Sequence, residues 1–509
     1  MKSIKLLLLL ALIILLNGCS NKNLPSSGVA NNSYEFTILQ LNDVYEIAPI
    51  QGGKYGGMAR VETVHKNLLK ENKNTMAVLA GDFLNPSLLG TIKFNGERVR
   101  GKQMVEVMNA MNFEVVAFGN HEFDLSYKDL QKRINESTFQ WISSNVLHKV
   151  SGKKEKFYKK VGGVKHDLEE TFIKEFNFEG GNKLKVGFLS VCIPSNPKDY
   201  VFYGNMFEEI QRSYKELKPK VDIVLGLTHL SIDQDKKVAA MLPDIPLIMG
   251  GHEHTNSYDH VGNVAIAKAD ANAKTVYIHR FKYNPITKKL SFKSELKEIN
   301  DKIGSDVDVD KIVKKWQDIL TIKIKEVVDN PEEVIYNAKQ PLDARDTPIR
   351  SIQTNMGDII TKAMSYAYNN DVDCALVNGG SVRIDDVLSG DINAVDIFRV
   401  LPYGGAVLKV RLTGSLLKKV LDYGVEAAGT GAYLQKYNAK KIGEKWIISG
   451  KELDENKEYH VAFSDYLLKG FDIPFLSEKN KQVLDIYEPN KNETAFDIRK
   501  AIIKYLKSI

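Results

Sequence analysis

Five short, largely apolar runs in this chain each stop at a side chain that can hold a metal ion, and that recurrence constrains the fold more than any other feature. Residues 115–118 run into Gly119, Asn120, His121, Glu122, Phe123 and Asp124; residues 37–41 into Asn42 and Asp43; residues 77–80 into Gly81 and Asp82. Residues 223–228 run into His229, and residues 247–249 into Gly250, Gly251, His252, Glu253 and His254. Unbroken apolar runs of this length read as strands buried on both faces, as parallel strands covered by helices are. Open α/β sheets hold their ligands beyond the carboxyl ends of such strands. Asp43, Asp82, Asn120, His121, His229, His252 and His254 are therefore expected to converge on one edge. Any one of them alone is the ordinary turn residue or helix cap; five coincident cases point to a site.

Mixed imidazole and carboxylate donors suit Zn, Mn, Fe, Ni or Co rather than Ca, and a carboxylate reached from both sides bridges two ions. Asp82 is the candidate bridge. Two ions about 3.5–4 Å apart clamp a phosphoryl group, make hydroxide from water near neutral pH and stabilise charge on the oxygens. The order Asp43, Gly81-Asp82, Gly119-Asn120-His121-Glu122-Phe123-Asp124, Thr228-His229 and Gly251-His252-Glu253-His254 resembles the calcineurin-like metallophosphoesterases, in their 5'-nucleotidase branch. The resemblance implies an α/β (α+β) chain: an N-terminal four-layer metallophosphoesterase β-sandwich flanked by helices, and a smaller α/β C-terminal substrate-binding domain joined to it by a helix. It implies two divalent metal ions (Zn, Mn, Co or similar), the first held by Asp43, Asp82 and His254, the second by Asp82, Asn120, His229 and His252. His121 and Asp124 would form the catalytic dyad, His121 stabilising charge on the phosphoryl or leaving oxygen and Asp124 orienting its ring. One position departs from the pattern. The family usually has Asp-x-His where this chain has Asp43-Val44-Tyr45, and a phenol with an unperturbed pKa of about 10 is a poor substitute for imidazole. Four arrangements of the first ion stay open: weak binding, Tyr45 as phenolate, Glu46 as ligand, or an added water.

The chain opens with Met1, Lys2 and Lys5, an apolar run over residues 6–16, then Asn17, Gly18 and Cys19. That run is too short to span a bilayer as a helix, and the pattern is a signal peptide over residues 1–18. Gly18-Cys19 resembles a bacterial lipobox, which implies cleavage before Cys19 and lipidation of its thiol. The protein would then be exported and lipid-anchored to the bacterial envelope, on a periplasmic or outer-surface face; a plain secretory signal with an incidental cysteine is the alternative. Residues 19–33, rich in Asn, Ser and Gly, read as a flexible tether. With 509 residues, 43% hydrophobic and 26% charged, the chain exceeds what one core holds. The expected division is a catalytic domain over 34–300, a helical linker over 301–335 and a substrate-binding domain over 336–509. Cys192 and Cys374, each inside an apolar run, read as buried thiols rather than a disulfide. The net charge of +6, with lysines spread among acidic residues, suggests no nucleic-acid polymer as partner, and no obligate protein partner is inferred.

Val61, Val64 and Leu68, and Met104, Val107, Met108 and Met111, recur at helical period and mark core faces, with Arg60 supporting the site rather than entering it. Residues 151–183, rich in Lys, Glu and Gly, read as a surface excursion, and residues 264–267, 275–283 and 290–298 as closing strands. Val309, Ile312, Val313, Trp316, Ile319 and Leu320 form an apolar stripe that packs on a domain.

The C-terminal part carries strands at 374–377 and 407–410 and glycine turns at Asn378-Gly379-Gly380 and Tyr403-Gly404-Gly405. Alone these are turns; beside basic and aromatic residues they suit a nucleotide. Leu342-Asp343-Ala344-Arg345 with Arg350, Thr354-Asn355-Met356-Gly357-Asp358, Asn378-Gly379-Gly380-Ser381-Val382-Arg383 and Leu401-Pro402-Tyr403-Gly404 resemble the 5'-nucleotidase C-terminal domain. The resemblance implies Arg345, Arg350 and Arg383 on the substrate's phosphate, Tyr403 and Tyr466 around its base, and Asp472 beside them. Arginine forks suit phosphate; the bland alternative is surface ion pairing. The pattern loosens at Gly470-Phe471-Asp472-Ile473-Pro474 and at Gly405, where the family often has Asn. The function implied is metal-dependent hydrolysis of nucleotide phosphate esters, 5'-mononucleotides to nucleoside and phosphate foremost. Alternatives are a 2',3'-cyclic nucleotide, nucleotide-sugar or other phosphoester hydrolase with the same metals, or a non-catalytic nucleotide-binding lipoprotein.

Overall fold

The computed structural model describes residues 33–194 and 198–509; Cys19, the signal peptide and nearly all of the tether lie outside the described residues. The N-terminal part is two six-stranded sheets packed face to face. In the first the order is Leu290–Glu298, Thr275–Tyr283, Tyr34–Leu41, Thr75–Leu79, Val115–Ala117, Gln140–Ile142. In the second it is Thr171–Asn177, Lys183–Leu189, Ile223–Thr228, Leu247–Gly250, Val264–Lys268, Ser257–Val261. The central strands of each are parallel, with Thr37 opposite Thr75, Val78 opposite Val115 and Gly226 opposite Ile248.

Strand periodicity explains how the layers stack. Phe36, Ile38, Met76, Val78, Val115 and Ala117 point inward against Val186, Phe188, Leu225, Leu227, Leu247 and Met249 of the second sheet. Leu39, Leu41, Ala77, Leu79 and Val116 point outward onto helices Met58–Glu71, Lys102–Ala110 and Tyr127–Glu136. Helices Met206–Leu217 and Ile232–Met241 cover the second sheet in the same way. The result is the four-layer order helix, sheet, sheet, helix. The five metal-capable runs are thus divided, three ending strands of the first sheet and two ending strands of the second, in the four-layer sandwich that the family resemblance implied. A strand buried between a helix and a sheet carries the same unbroken apolar run as one buried between two helix layers, so the sequence does not separate the two.

The excursion over 151–183 is more ordered than its composition suggests. It holds Lys153–Glu155, the hairpin Tyr158–Val161 and Val164–Asp167, and Thr171–Asn177, which pairs antiparallel with Lys183–Leu189 as the edge of the second sheet. Edge strands tolerate polar, charged residues because only one side of the ladder is occupied.

Helix Val307–Lys325 starts at the Asp306 cap and buries Val309, Val313, Trp316, Leu320 and Ile324. Trp316 Nε1 donates to Glu106 at 2.9 Å, fixing the helix to Lys102–Ala110. Its stripe belongs to one continuous cluster with Val61 and Met104 on one side and Ile360, Val377 and Ile502 on the other. The C-terminal part centres on a five-stranded sheet ordered Leu434–Tyr437, Cys374–Asn378, Glu458–Ser464, Val407–Thr413, Val483–Tyr487, with Asn355–Tyr366, Gly414–Glu426 and Ile498–Leu506 against it. Cys192 and Cys374 are buried free thiols. Among the described residues no helix is long and apolar enough to cross a membrane.

Candidate metal centre and substrate cleft

The loops that leave the parallel strands meet at the carboxyl edge of both sheets. Asp43 donates its backbone N–H to Gly81 O at 3.0 Å, which sets the first two loops side by side. Asp43, Asp82 and His252 hold left-handed backbone at φ 52°, 58° and 85°, a conformation of order 1–3 kcal/mol above the usual wells that collects at functional sites. Crowding accounts for the glycines. A Cβ on Gly119 would lie 2.1 Å from Asp82 Oδ1, and one on Gly81, at φ 80°, would lie 2.7 Å from His229 Nδ1.

The donors converge. Asp43, Asp82 and His229 offer ligand atoms within 4.8 Å of one another. His229 Nε2 is 3.1 Å from Asp82 Oδ2 and 3.2 Å from Asn120 Oδ1. His254 Nε2 is 3.5 Å from Asp43 Oδ1, and the His252 ring stands 5.5 Å from that of His229. The remaining lone pairs are held in place by donors: Asp43 Oδ2 accepts from Asn42 Nδ2 and His252 N, both at 2.9 Å, and Asp82 Oδ1 from His121 N at 2.7 Å. Burial works against an imidazolium at His229, yet the Asp82 and Asp43 carboxylates override it and carry its pKa up to about 9. Burial and the neighbouring His229 charge depress His252 to about 4. Two buried carboxylates that pull this hard on positive charge, with neutral imidazole and amide oxygen beside them, fit divalent metal ions.

Tyr45 stands inside this cluster. It is 3% exposed, with its hydroxyl 3.0 Å from His254 Nε2 and 3.4 Å from both Asp43 Oδ1 and Asp82 Oδ2. Burial, then Asp82 and Asp43, hold its pKa well above the ordinary phenol value, so the neutral form is favoured there. Glu46 turns away: its carboxylate accepts from Leu88 N and lies 3.8 Å from Arg399 Nε.

His121 and Asp124 form the expected pair, Nδ1 to Oδ2 at 2.8 Å. The same Oδ2 accepts from Asn85 Nδ2 at 3.0 Å and from Arg383 Nη2 at 3.3 Å, the latter reaching in from the C-terminal part. Burial opposes charge on His121, but Asp82 and Asp124 raise it to about 9.

Two residues of the site have no counterpart in the sequence reading. Glu122, fully buried, accepts from four backbone N–H groups: Asp82 at 2.9 Å, Phe83 at 2.8 Å, Leu84 at 3.1 Å and Gly119 at 2.7 Å. It clamps two donor-bearing loops together. Lys268, also fully buried, does this for the second sheet, donating to Leu230 O at 2.6 Å and Gly251 O at 2.8 Å and pairing with Asp235 and Glu253. Glu122 lies within a motif, the one signal that could have drawn attention to it; Lys268 at the end of an apolar strand reads as a simple exit to water. Arg60 donates to Gly53 O at 2.8 Å and to Gly56 O at 3.2 Å.

The substrate candidates divide between two openings. A cavity of about 580 Å³ is lined by Arg350, Arg383, Tyr403, Tyr466 and Asp472, with Asn85 and Asp124 contributed by the N-terminal part. A cleft of about 650 Å³ is lined by Asp82, Asn120, His121, His252, His254 and Arg345. Arg350 borders both. Arg345 does not reach the tyrosine cavity; it is forked onto Asp343 at 2.9 and 2.7 Å. Tyr403 and Tyr466 are 52% and 37% exposed, so both present ring surface to the cavity. Tyr466 donates to Asp472 Oδ1 at 3.1 Å and Asn378 Nδ2 to Asp472 Oδ2 at 2.7 Å. Among the described residues Arg350 Nε, Arg383 Nε and Ser464 Oγ are buried without a hydrogen-bond partner. The departures have local causes. A Cβ on Gly405, at φ 109°, would lie 2.5 Å from Asp465 Oδ1, and Phe471 is an exposed ring 6.0 Å from Tyr466.

A two-sheet sandwich with carboxylate, imidazole and amide donors gathered on its edge is the build of a metal-dependent phosphoesterase. The profile of the calcineurin-like phosphoesterases matches residues 36–256, and that of the 5'-nucleotidase C-terminal domain residues 334–478. The 5'-nucleotidase of Mus musculus is 25% identical over 511 residues, covering 87% of this chain and 84% of its own. The snake venom 5'-nucleotidase of Crotalus adamanteus is 25% identical over 445 residues, covering 79% and 72%. The crystal structure of the 5'-nucleotidase precursor from Thermus thermophilus superposes with a TM-score of 0.66 at 22% identity, covering 93% and 96%. The chain belongs to the 5'-nucleotidase family of two-domain calcineurin-like phosphoesterases.

Proposed function

We propose that the protein hydrolyses phosphate monoesters of nucleotides, 5'-mononucleotides foremost, to nucleoside and phosphate. The observation that carries this reading is the position of Asp124: its Oδ2 orients His121 beside the donor cluster and also meets Arg383 on the wall of the tyrosine cavity. A phosphate at that junction has its ester oxygen near the dyad and its base between tyrosines.

Asp43, Asp82 and His254 would hold one divalent ion and Asp82, Asn120, His229 and His252 a second, of Zn, Mn or Co. When bound, the pair supplies Lewis acidity and a nucleophilic water. The chain's own groups do the rest. Asp124 keeps the proton on His121 Nδ1, so Nε2 of the charged ring donates to the phosphoryl or leaving oxygen. Arg350 and Arg383, which line the cavity, bind phosphate through their guanidinium groups, with Arg345 at the metal-side rim. Tyr403 and Tyr466 flank the base, where stacking contributes about 1–3 kcal/mol per base, and Asp472 orients Tyr466. Residues 34–300 serve as catalytic domain, 301–335 as linker and 336–509 as substrate-binding domain. Signal and lipobox motifs support export with lipidation at Cys19, a membrane anchor on the envelope.

Phosphate release from a nucleotide panel, after chelation and return of Mn, Zn, Co or Mg, tests the reading. Metal-dependent release from 5'-mononucleotides is expected. Turnover confined to 2',3'-cyclic nucleotides or nucleotide sugars would move the substrate, and bound metal with no turnover on any nucleotide would make the protein a binder.

A further inference from the structure

We propose that Asp385, carried by the C-terminal part of the chain, is a positioning residue for His254, so that the first ion's site is completed only when the two parts are docked. The two histidines of the cluster with a defined outer partner differ in where it comes from. His229 Nδ1 donates to Ala80 O at 2.7 Å, inside the sandwich. His254 Nδ1 lies 2.9 Å from Asp385 Oδ2 and 3.1 Å from the Asp385 carbonyl oxygen, 131 residues along the chain. Both of those atoms are acceptors, so Nδ1 carries the proton. With Nδ1 so engaged, Nε2, the atom that faces Asp43 Oδ1, is the nitrogen left to offer a cation.

Asp385 is itself held for this task. Its Oδ1 accepts from Asp346 N at 2.6 Å, and its backbone sits at φ 45°. The next residue, Asp386, meets Lys274 Nζ of the sandwich at 3.0 Å, a second bridge that seats the loop. A carboxylate on the outer nitrogen of a ligating imidazole fixes its tautomer and orientation and raises its basicity. The first site has a phenol where the family has an imidazole, so His254 is its sole nitrogen donor and its ring orientation matters the more. The first ion and anything that docks the two parts therefore favour each other, and the coupling is reciprocal.

The inference rests on the two-ion reading above. The test is a calorimetric titration of Mn²⁺ into chelator-stripped full-length protein, with and without a non-hydrolysable adenosine phosphonate. Asp385→Ala is expected to raise the Kd of the weaker ion about 10–100-fold and to leave that of the tighter ion unchanged. Asp385→Asn, which keeps the shape and a neutral acceptor, is expected to fall between, and it carries the test should the alanine variant lose its fold by circular dichroism. The phosphonate is expected to tighten the weaker ion in the wild type and not in Asp385→Ala. Equal loss at both ions, or loss at neither, overturns the inference and leaves two ions in place. A wild type that takes up a single ion overturns the two-ion reading and the inference with it.

Discussion

Tyr45 sets a prediction whose sign separates two roles. Its hydroxyl is enclosed by the three donors proposed for the first ion, at 3.0 Å from His254 Nε2 and 3.4 Å from Asp43 Oδ1 and Asp82 Oδ2. As a neutral donor it competes with a cation for the same lone pairs. Only the contact to His254 has the length of a good hydrogen bond, and such a bond is worth about 0.5–1.5 kcal/mol net. Removing it in Tyr45→Phe is therefore expected to tighten the first ion by about 2–10-fold. Tyr45→His removes the competitor and returns a nitrogen. Disturbing the outer partner of a ligand already changes affinity about 10–100-fold, so an added inner donor is expected to give at least about tenfold. Stepwise metal titration against a chromophoric chelator reads both, alongside activity that climbs with added metal in the wild type and saturates earlier in the variants. A Phe variant that loses the first ion as a ligand knockout does would refute the competitor reading and make the phenol a ligand.

Replacing His229 or His252 with Ala is expected to remove the second ion and nearly all turnover; elemental analysis beside the rate checks it, and full activity in both variants would sink the ligand set. Tyr403→Ala and Tyr466→Ala are each expected to raise KM for nucleotides by the equivalent of about 1–3 kcal/mol while sparing a small aryl phosphate, and equal losses on both substrates would instead make these rings part of the fold. His279 is buried between Gln40 Oε1 and Ser294 Oγ, both at 2.8 Å, and burial lowers its pKa to about 3. The unfolded chain therefore binds the extra proton first: the stability tied to neutral His279 is whole above about pH 6.5 and drains away as pH falls toward about 3. The stability gap between wild type and His279→Gln, followed by denaturant melts, should shrink by about 1.4 kcal/mol per pH unit in that window. A gap that stays constant would refute the assignment.

What the sequence displayed and what it hid follow from how far each signal reaches along the chain. Strand ends at Asp43, Asp82, Asn120, His229 and His252 were legible because an apolar run and the donor after it are contiguous. Their division between two sheets was not written in the runs themselves, since Leu39 against a helix and Ile38 against the other sheet are equally apolar; it came only through the family resemblance of the motifs. Glu122 and Lys268 depend on carbonyls and amides brought from other loops, and a single charged residue carries no mark of that. Arg345 matched its motif, yet the neighbouring Asp343 takes up its fork. The ordered strands within 151–183 were masked by lysines that an edge strand accommodates and a central strand does not.

The Glu122 clamp bears on the order of events when metal arrives. By gathering the amides of Asp82, Phe83, Leu84 and Gly119, it ties the two donor loops together with protein groups alone. In small zinc domains the ion and the fold appear together, and chelation unravels the chain. Here the two loops are tied by groups other than the proposed ligand side chains, so chelation is expected to leave the fold intact.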